Sequence, residues 1–308
     1  MKSIANIPFL APVVDGIWLV KAPRKSRFPH CNGFLMAGNR VVLLDTGIGA
    51  GRIAEIDRLM RIDTLIISHS HPDHILAWHL LADRQLLLPA ETPASVQDLG
   101  LLGRRFVADH TDAQYWTWVA KSRLGIRPLR QPDQRFRDGQ TLDFGSIQLE
   151  AIHTPGHLDD HYCFLERHSG TLFSTDIDFT GFGPWYGNPE GNIDQFRASV
   201  KQLRGLPFKR ICSAHKPPIA KVDAADAFRR YESAFDRQKA AVFDLCRQAM
   251  SLEAMVRYSP FYKNRMPDST LQRIFETQMI RKNLDVLIRE NRITTRRGRY
   301  EAIGSARR

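Results

Sequence analysis

A dense group of potential metal ligands constrains the fold of this chain more than any other feature of its sequence. His69, His71, Asp73 and His74 lie within six residues, directly after the apolar run Asp63–Ser68. In an extended strand, side chains two residues apart point to the same side, so His69 and His71 can bind one metal ion. The proline after His71 turns the chain, and we expect Asp73 and His74 to open a helix that faces a neighbouring position. Four ligands so close together predict a metal site, because isolated histidines are more often packed in a core.

Three further potential ligands, His157, Asp176 and His215, each follow a predicted strand. These strands are Ile147–His153, Thr171–Thr175 and Arg210–Ser213. With the first group they make five histidines and two aspartates, enough ligands for two metal ions with open positions for water. Imidazole and carboxylate donors without thiolate suit zinc, and they also suit iron or manganese. The sequence therefore predicts two divalent metal ions as cofactors.

Strand-like and helix-like runs come in two batches along the chain. Apolar β-forming runs between Pro, Gly and Asn residues predict, besides the strands already named, Gly16–Lys21, Cys31–Met36, Arg40–Asp45, Gln85–Pro89 and Tyr162–Glu166. Helical spacing predicts a helical insertion at about 93–124 and helices over Gly51–Met60, Ile75–Ala82, Asp194–Arg204, Asp223–Met250 and Thr270–Asn291. Each batch of strands ends in helices, which suggests two β-sheets faced by helices.

The positive charge of the chain is concentrated near its C-terminus. The 308 residues include 44 Lys and Arg against 33 Asp and Glu, a net charge of +11, and 43% are hydrophobic. This ordinary globular composition argues against disorder or a fibrous repeat. Residues 251–308 hold thirteen basic and six acidic side chains and so carry +7 of the total. The shift suggests a boundary and raises nucleic acid as a partner, although a solvated basic face is the commoner explanation.

The cysteines and the N-terminus indicate where the protein resides. Cys31, Cys163, Cys212 and Cys246 include no CxxC pair, so we expect buried free thiols rather than disulfides or a zinc–thiolate site. Prolines interrupt the first twenty residues, which lack the apolar core of a signal peptide. No apolar run approaches the roughly 18–20 residues that a membrane span requires. We expect a cytoplasmic protein that does not associate with membranes.

Over roughly residues 10–220 the chain resembles the metallo-β-lactamase superfamily of binuclear hydrolases, and it contains all five motifs of that family in order. The motifs are LLDTG with Asp45, HSHPDH, TPGH with His157, STDID with Asp176, and SAHKPP with His215. The resemblance implies an α+β fold, a four-layer αβ/βα sandwich with the site at one edge of its two sheets. We expect a catalytic domain over residues 1–220 and a C-terminal helical, basic extension over residues 221–308.

The resemblance also implies a role for each potential ligand. It divides them between two ions, the first bound by His69, His71 and His157 and the second by Asp73, His74 and His215. Asp176 would bridge the two ions. Asp45 would support the site from behind the ligands, although a strand-end turn is the alternative for this residue.

Other residues near the motifs have less certain roles in the sequence. We expect His153 and His161 to pack behind the ligands rather than bind metal. His79 falls beyond the ligand cluster, and we assign it no ligand role. Trp185 and Tyr186 follow the Asp176 strand in a Gly- and Pro-rich loop, where they form either a wall for the substrate or ordinary anchors of the loop.

The ligand set indicates the type of reaction more clearly than the identity of the substrate. Two metal ions about 3.5–4 Å apart can share a hydroxide and stabilise an oxyanion opposite it. A metal ion brings the pKa of bound water to about 7, so hydroxide forms without a separate base. Asp73 is a candidate to take the proton of that water, and we expect Asp73 and Asp176 to be the catalytic pair. The expected reaction is attack on a carbonyl carbon or a phosphorus centre.

The branch of the family is indicated by the pairing of His74 with a bridging Asp176. This pairing resembles thioesterases, lactonases and nucleases rather than zinc β-lactamases. The motifs TPGHLDDH and STDID depart from the usual glyoxalase II forms. The run ITTRRGRY suggests a β-wing, and the tail resembles the winged-helix-like C-terminal domain of some thioesterase-like members. We therefore predict a hydrolase that cleaves a thioester or a similar small acyl ester.

Three alternatives to this function stay open. The basic tail suggests a phosphodiesterase or ribonuclease of the same fold. The persulfide dioxygenases of the family keep a similar motif set but use one iron ion. A nucleic-acid-binding module with a vestigial site is the third, although a site under no chemical demand would not need seven intact ligands.

Overall fold

A mixed sheet of seven strands forms the first half of the fold in the computed structural model, which describes residues 7–304. Its strands follow chain order: β1 (Leu10–Val14), β2 (Ile17–Val20), β3 (Gly33–Ala37), β4 (Val41–Leu44), β5 (Thr64–Ile66), β6 (Gln85–Pro89) and β7 (Gln134–Phe136). Strands β1 to β4 pair antiparallel, and β4 to β7 pair parallel. The carboxyl ends of β4 and β5 therefore meet at one edge of the sheet, where Asp45 and the ligand-rich turn follow them.

A second sheet of six strands forms the other half of the sandwich. It contains β8 (Thr141–Asp143), β9 (Gln148–His153), β10 (Tyr162–Glu166), β11 (Thr171–Thr175), β12 (Arg210–Ser213) and β13 (Ile219–Ala220). The spatial order is β13-β12-β11-β10-β9-β8, and only β11 and β12 pair parallel. This parallel pair brings Asp176 and His215, which follow β11 and β12, to the same edge.

The inner faces of the two sheets share one apolar core. Phe34 and Leu44 of the first sheet and Phe164 and Phe173 of the second belong to it, and all four side chains are fully buried. The rings of Phe34 and Phe173 lie 4.8 Å apart between their centroids. Burying each such side chain stabilises the fold by about 1.5–3 kcal/mol, so this core holds the sheets together.

Helices cover the outer face of each sheet and complete four layers. They are α1 (Ala50–Leu59), α2 (Leu99–Phe106), α3 (His110–Trp118), α4 (Ile193–Arg204), α5 (Lys221–Cys246), α6 (Leu252–Tyr258) and α7 (Ser269–Arg289). The first three pack against the first sheet through residues such as Ile53 and Phe106, and α4 and α5 pack against the second through Phe196 and Phe228. The predicted α+β four-layer sandwich with a helical C-terminal region is confirmed.

The predicted helix over Ile75–Ala82 is wrong, because that stretch contains only a single 3-10 turn at Trp78–Leu81. The carbonyl of His74 accepts hydrogen bonds from the backbone and the hydroxyl of Thr46, at 2.9 and 2.8 Å. It is therefore engaged with the β4 loop rather than with the amide four residues later that a helix requires. The ligand turn is held by tertiary contacts, which helical periodicity does not report.

The C-terminal region combines α6 and α7 with a small sheet of order β14-β16-β15. Its strands are β14 (Met250–Ser251), β15 (Ile293–Arg296) and β16 (Arg299–Ala302), so the run ITTRRGRY does form a hairpin. Helix α7 contributes buried side chains to three apolar clusters, through Phe275, Met279 and Leu284 respectively. Within residues 7–304, no helix is long and apolar enough to cross a membrane. The four cysteines are free and buried, as expected.

Candidate metal centre

All seven predicted ligands converge at the edge where the strands end. They form two groups that could each hold a metal ion, one of His69, His71, His157 and Asp176 and the other of Asp73, His74, Asp176 and His215. Within each group the candidate ligand atoms lie within 4.8 Å of one another. Asp176 belongs to both groups, so the structure brings together the two sets of residues that the sequence predicts.

The first group is built around three imidazole nitrogens. His71 Nδ1 lies 3.0 Å from His69 Nε2 and 2.8 Å from His157 Nε2. The carboxylate oxygen Oδ2 of Asp176 lies 3.3 Å from His157 Nε2 and 3.9 Å from His69 Nε2. Burial lowers the pKa of both His69 and His71 well below its ordinary value, with further lowering from neighbouring histidines. These rings are therefore neutral, the form in which imidazole binds a metal ion.

The second group faces the other oxygen of the same carboxylate. Asp176 Oδ1 lies 2.9 Å from His74 Nε2 and 3.5 Å from His215 Nε2, and His215 Nε2 lies 3.4 Å from Asp73 Oδ2. In the described part of the chain, His74 Nε2 and Asp176 Oδ1 are buried and, although close to each other, neither makes a hydrogen bond of acceptable geometry. Buried polar atoms normally have partners, and a shared cation between these two would supply one. The residues present therefore fit a second metal ion.

Charge at the site also fits a cation. Burial raises the pKa of Asp176, but nearby His74 and His215 outweigh it and hold that pKa well below its usual range. Burial lowers the pKa of His215, while Asp176 and Asp73 raise it well above its ordinary value. The carboxylates that raise this pKa would attract a metal ion in the same way. Metal binding would therefore displace protons, which makes the affinity of the site for metal dependent on pH.

Each ligand histidine is held in place through its second ring nitrogen. The partners are Ser68 Oγ for His69 at 3.0 Å, the Asn188 side-chain amide for His71 at 2.6 Å, Asp45 Oδ2 for His74 at 2.8 Å, the Trp185 carbonyl for His157 at 2.7 Å and the Ser26 carbonyl for His215 at 2.7 Å. Such contacts fix the ring orientation and leave the other nitrogen free for metal. Sequence reasoning missed Ser26 and Asn188, because their role depends on approach between distant segments, and it missed Ser68 although that residue is next to His69.

Asp45 is the centre of the support behind the second group. Besides His74, its carboxylate accepts hydrogen bonds from the backbone N–H and the hydroxyl of Ser68, both at 2.8 Å. The residue is 1% exposed and has a φ of 64°, a left-handed conformation that Asp tolerates better than most residues. The contacts place Asp45 where the family pattern expects it, behind the ligands rather than among them.

Three other histidines lie outside both ligand groups. His161 is buried, and its ring bonds to the hydroxyls of Thr154 and Thr175 at 2.9 and 2.8 Å. Burial lowers the pKa of His161 to about 3, so it is a neutral part of the core. His153 stacks on Tyr162, with 4.9 Å between the ring centroids. His79 lies on the 3-10 turn that follows the ligand loop.

The two ligand groups open into a cavity of about 260 Å³. Trp185 lines this cavity, and its ring centroid lies 5.3 Å from that of His71. Tyr186 does not line it, so the wall role considered for Tyr186 is wrong. That residue is fully buried, and its hydroxyl bonds to Gln238 and Asn283 at 2.9 and 3.0 Å. Neighbouring residues in an extended loop point to opposite sides, so only one of the pair reaches the cavity.

Arg105 is a buried cation that ties together the loops around the first ligand group. Its side chain is 3% exposed and pairs with Asp159, with Asp160 at 3.2 Å and with Glu190 at 2.7 Å. It also donates to the hydroxyl of Ser70, which lies between the first two ligands. Sequence reasoning missed Arg105, although the acidic pair in TPGHLDDH was a signal that a buried cation lies opposite. We expect Arg105 to position the ligand loops.

The substitution Arg105→Met is expected to lower the free energy of unfolding by about 3–5 kcal/mol, because Asp160 stays buried without its cation. Urea denaturation measures this change, and metal affinity should fall with it. Arg104→Met is the matched control, since Arg104 is on the same helix and exposed. Equal effects from the two substitutions would contradict the role given to Arg105.

Comparison with known proteins agrees with this geometry. A hydroxyacylglutathione hydrolase from Xylella fastidiosa (strain M12) is 23% identical over 253 residues, which cover 80% of this chain and 83% of that protein. One of the same name from Francisella philomiragia is 24% identical over 147 residues, and this chain spans only 46% of its length. The structure of a metallo-beta-lactamase family protein from Thermus thermophilus superposes with a TM-score of 0.74 at 19% identity, covering 94% of this chain and 100% of the other.

The match to a protein family covers more than half of the chain. Residues 27–215 match the Metallo-beta-lactamase superfamily, a range that begins before the first motif and ends at His215. It includes both ligand groups and the strands that position them. The chain belongs to the metallo-beta-lactamase superfamily.

Proposed function

We propose that this protein is a binuclear metal-dependent hydrolase of thioesters or similar small acyl esters. The observation that carries the proposal is the position of Asp176, whose two oxygens face different groups of ligands. Its Oδ2 faces His157 at 3.3 Å, and its Oδ1 faces His74 at 2.9 Å. A single carboxylate in this position suits a bridge between two ions. Imidazole and carboxylate donors make zinc our proposed metal, with iron or manganese as the alternatives.

When bound, the two ions supply a Lewis acid for the carbonyl oxygen and make water acidic enough to ionise near neutral pH. The chain supplies the geometry: the hydrogen bonds to the second ring nitrogens keep each imidazole aimed at the site. Asp73 lines the cavity and is placed to accept the proton of the attacking water. Water oxygen adds to the acyl carbon, the carbon–sulfur bond breaks, and a carboxylic acid and a thiol leave.

The relatives supply independent support for the thioester class. The name hydroxyacylglutathione hydrolase denotes cleavage of a thioester in those proteins. At 23–24% identity this supports a reaction class for the present chain rather than a substrate. The site agrees with a small-molecule substrate, because a concave cavity lined mainly by apolar side chains with a few polar groups is typical of sites for molecules of that class.

Metal analysis and a substrate panel test the proposal together. We expect close to two zinc ions per chain, and removal by a chelator should abolish turnover that added zinc restores. The panel contains thioesters, lactones and phosphodiesters at equal concentration, and thioesters should be turned over fastest. A single iron with oxygen consumption on adding a persulfide would overturn the proposal in favour of a dioxygenase. Submicromolar RNA binding at physiological salt, with metal-dependent cleavage abolished by His69→Ala, would favour a ribonuclease.

A further inference from the structure

The cavity beside the ligand groups has mainly apolar walls, and Asp178, Thr180 and Asn188 are polar lining residues outside the ligand groups. The walls that reach away from the ligands are formed by Phe106, Trp116, Trp185, Tyr262, Met266 and Phe275. Phe28 and Phe182 also line the cavity and are its most exposed aromatic residues, at 44% and 36%. These two side chains therefore mark the side that opens to water.

The apolar walls begin in direct contact with the ligands. The ring centroid of His71 lies 5.4 Å from that of Phe106 and 5.3 Å from that of Trp185. Trp185 in turn lies 5.4 Å from Phe275, a residue of α7. A carbonyl group held at the ligands therefore has aromatic side chains as its nearest neighbours on this side.

Apart from the histidines, the charged residues that line the cavity are all negative. Asp73, Asp176 and Asp178 line it, and within residues 7–304 no lysine or arginine does. Arg105 directly precedes the wall residue Phe106 in the sequence, but it is already paired with three carboxylates. A negatively charged acyl substituent packed against the apolar walls, away from the ligand groups, would be buried without a counter-charge, which is costly.

We propose, building on the hydrolase function above, that the substrate carries an uncharged apolar acyl group, aromatic or of about six carbons, which packs against Phe106, Trp185 and Phe275. A carrier thiol is larger and more polar, so it occupies the open side between Phe28 and Phe182. Thioesters with a carboxylate on the acyl group are poor substrates, because no wall residue pairs with that charge. The C-terminal region, through Phe275, is then part of the specificity pocket.

A matched series of acyl groups on one small neutral thiol, N-acetylcysteamine, tests this assignment. From the acetyl to the hexanoyl thioester we expect kcat/KM to rise by up to about 250-fold, since each of the four added methylenes contributes roughly fourfold when it is fully buried. The succinyl thioester should fall below the acetyl one. A second series keeps the acetyl group and lengthens the thiol, and its kcat/KM should change less than threefold.

Substituting a charged residue into the wall tests whether the acyl group binds at that position. Met266→Lys should lower the ratio of hexanoyl to succinyl kcat/KM at least tenfold, because it places a cation in the wall. Ile288→Lys is the matched control, since Ile288 is on α7, 41% exposed and absent from the wall. Both substrates are measured on one preparation, so the ratio does not depend on the fraction of protein that is folded.

The outcomes separate this inference from the function on which it rests. Metal-dependent thioester hydrolysis with equal rates along the acyl series, a preference for succinyl, or a preference that follows the thiol would overturn the acyl pocket alone. Failure to hydrolyse any thioester would overturn the function. In that case tryptophan fluorescence still tests the pocket: hexanamide should quench it saturably and at least tenfold more tightly than succinamate, and equal binding would overturn the inference.

Discussion

Asp176→Ala is expected to abolish turnover and to lower metal content from about two ions per chain to one or fewer. Asp176 is the residue common to both candidate ligand groups, so its removal takes a carboxylate from each of them. The electrostatic stabilisation that a metal ion provides amounts to several kcal/mol, so kcat/KM should fall on the order of 10³-fold or more. Elemental analysis and steady-state kinetics on the same preparation measure both effects.

His79→Ala is the control for this experiment. His79 follows the ligand loop in sequence but belongs to neither ligand group. Activity and metal content should both stay within twofold of the original protein. If the two substitutions caused equal losses, or if Asp176→Ala kept two ions, the metal centre would have been placed on the wrong residues.

Removal of residues 251–308 is expected to prevent folding of the rest of the chain. We propose residues 1–220 as the catalytic domain and residues 221–308 as its extension, yet α7 places Leu271, Ile274 and Phe275 in the core of the first sheet. Each such side chain contributes about 1.5–3 kcal/mol. Truncation would remove ten buried apolar side chains of this segment, besides Ala302. Their combined stabilisation exceeds the roughly 5–15 kcal/mol by which a typical domain is stable. Circular dichroism and thermal unfolding measure the result.

A charge-reversal control separates packing from surface charge in the same region. Arg296→Glu and Arg297→Glu change exposed residues of the β15–β16 hairpin, outside the apolar clusters. We expect folding and thioester turnover to be unchanged, while any affinity for RNA stays weak and falls steeply with salt. A stable, active protein after truncation, or loss of turnover from the charge reversal, would contradict the packing role of the C-terminal region.

Several elements of the fold could be predicted because local pattern and tertiary structure agree. The runs at Arg40–Asp45 and Tyr162–Glu166 are strands, as β-branched and aromatic residues in short apolar runs indicate. Of the missed strands, β1 has five residues but is interrupted by Pro12, and β7, β8, β13 and β14 have only two or three residues. A period of two cannot be recognised in so short a run, so these strands exist because a neighbouring strand pairs with them.

The candidate site likewise contains some residues that could be predicted from the sequence and others that could not. Candidate ligands could be named from the sequence because metal chemistry requires particular atoms, and His69, His71, Asp73 and His74 supply them within one short segment. The buried Arg105 and the amide of Asn188 were not readable, since nothing in their local sequence marks them. Each acts on residues 35 to 117 positions away, a contact that forms only when the chain folds.

By itself the sequence determined the class of fold, the two sets of candidate ligands and the reaction chemistry they favour, because these depend on residue type and short-range order. The tertiary structure decided that Trp185 reaches the cavity and Tyr186 does not, and that the ligand loop continues as a turn instead of a helix. It also decided that Met266 and Phe275 of the C-terminal region form walls of the site. The physical reason is that burial and hydrogen-bond partners depend on segments far apart in the chain, whose approach no local pattern encodes.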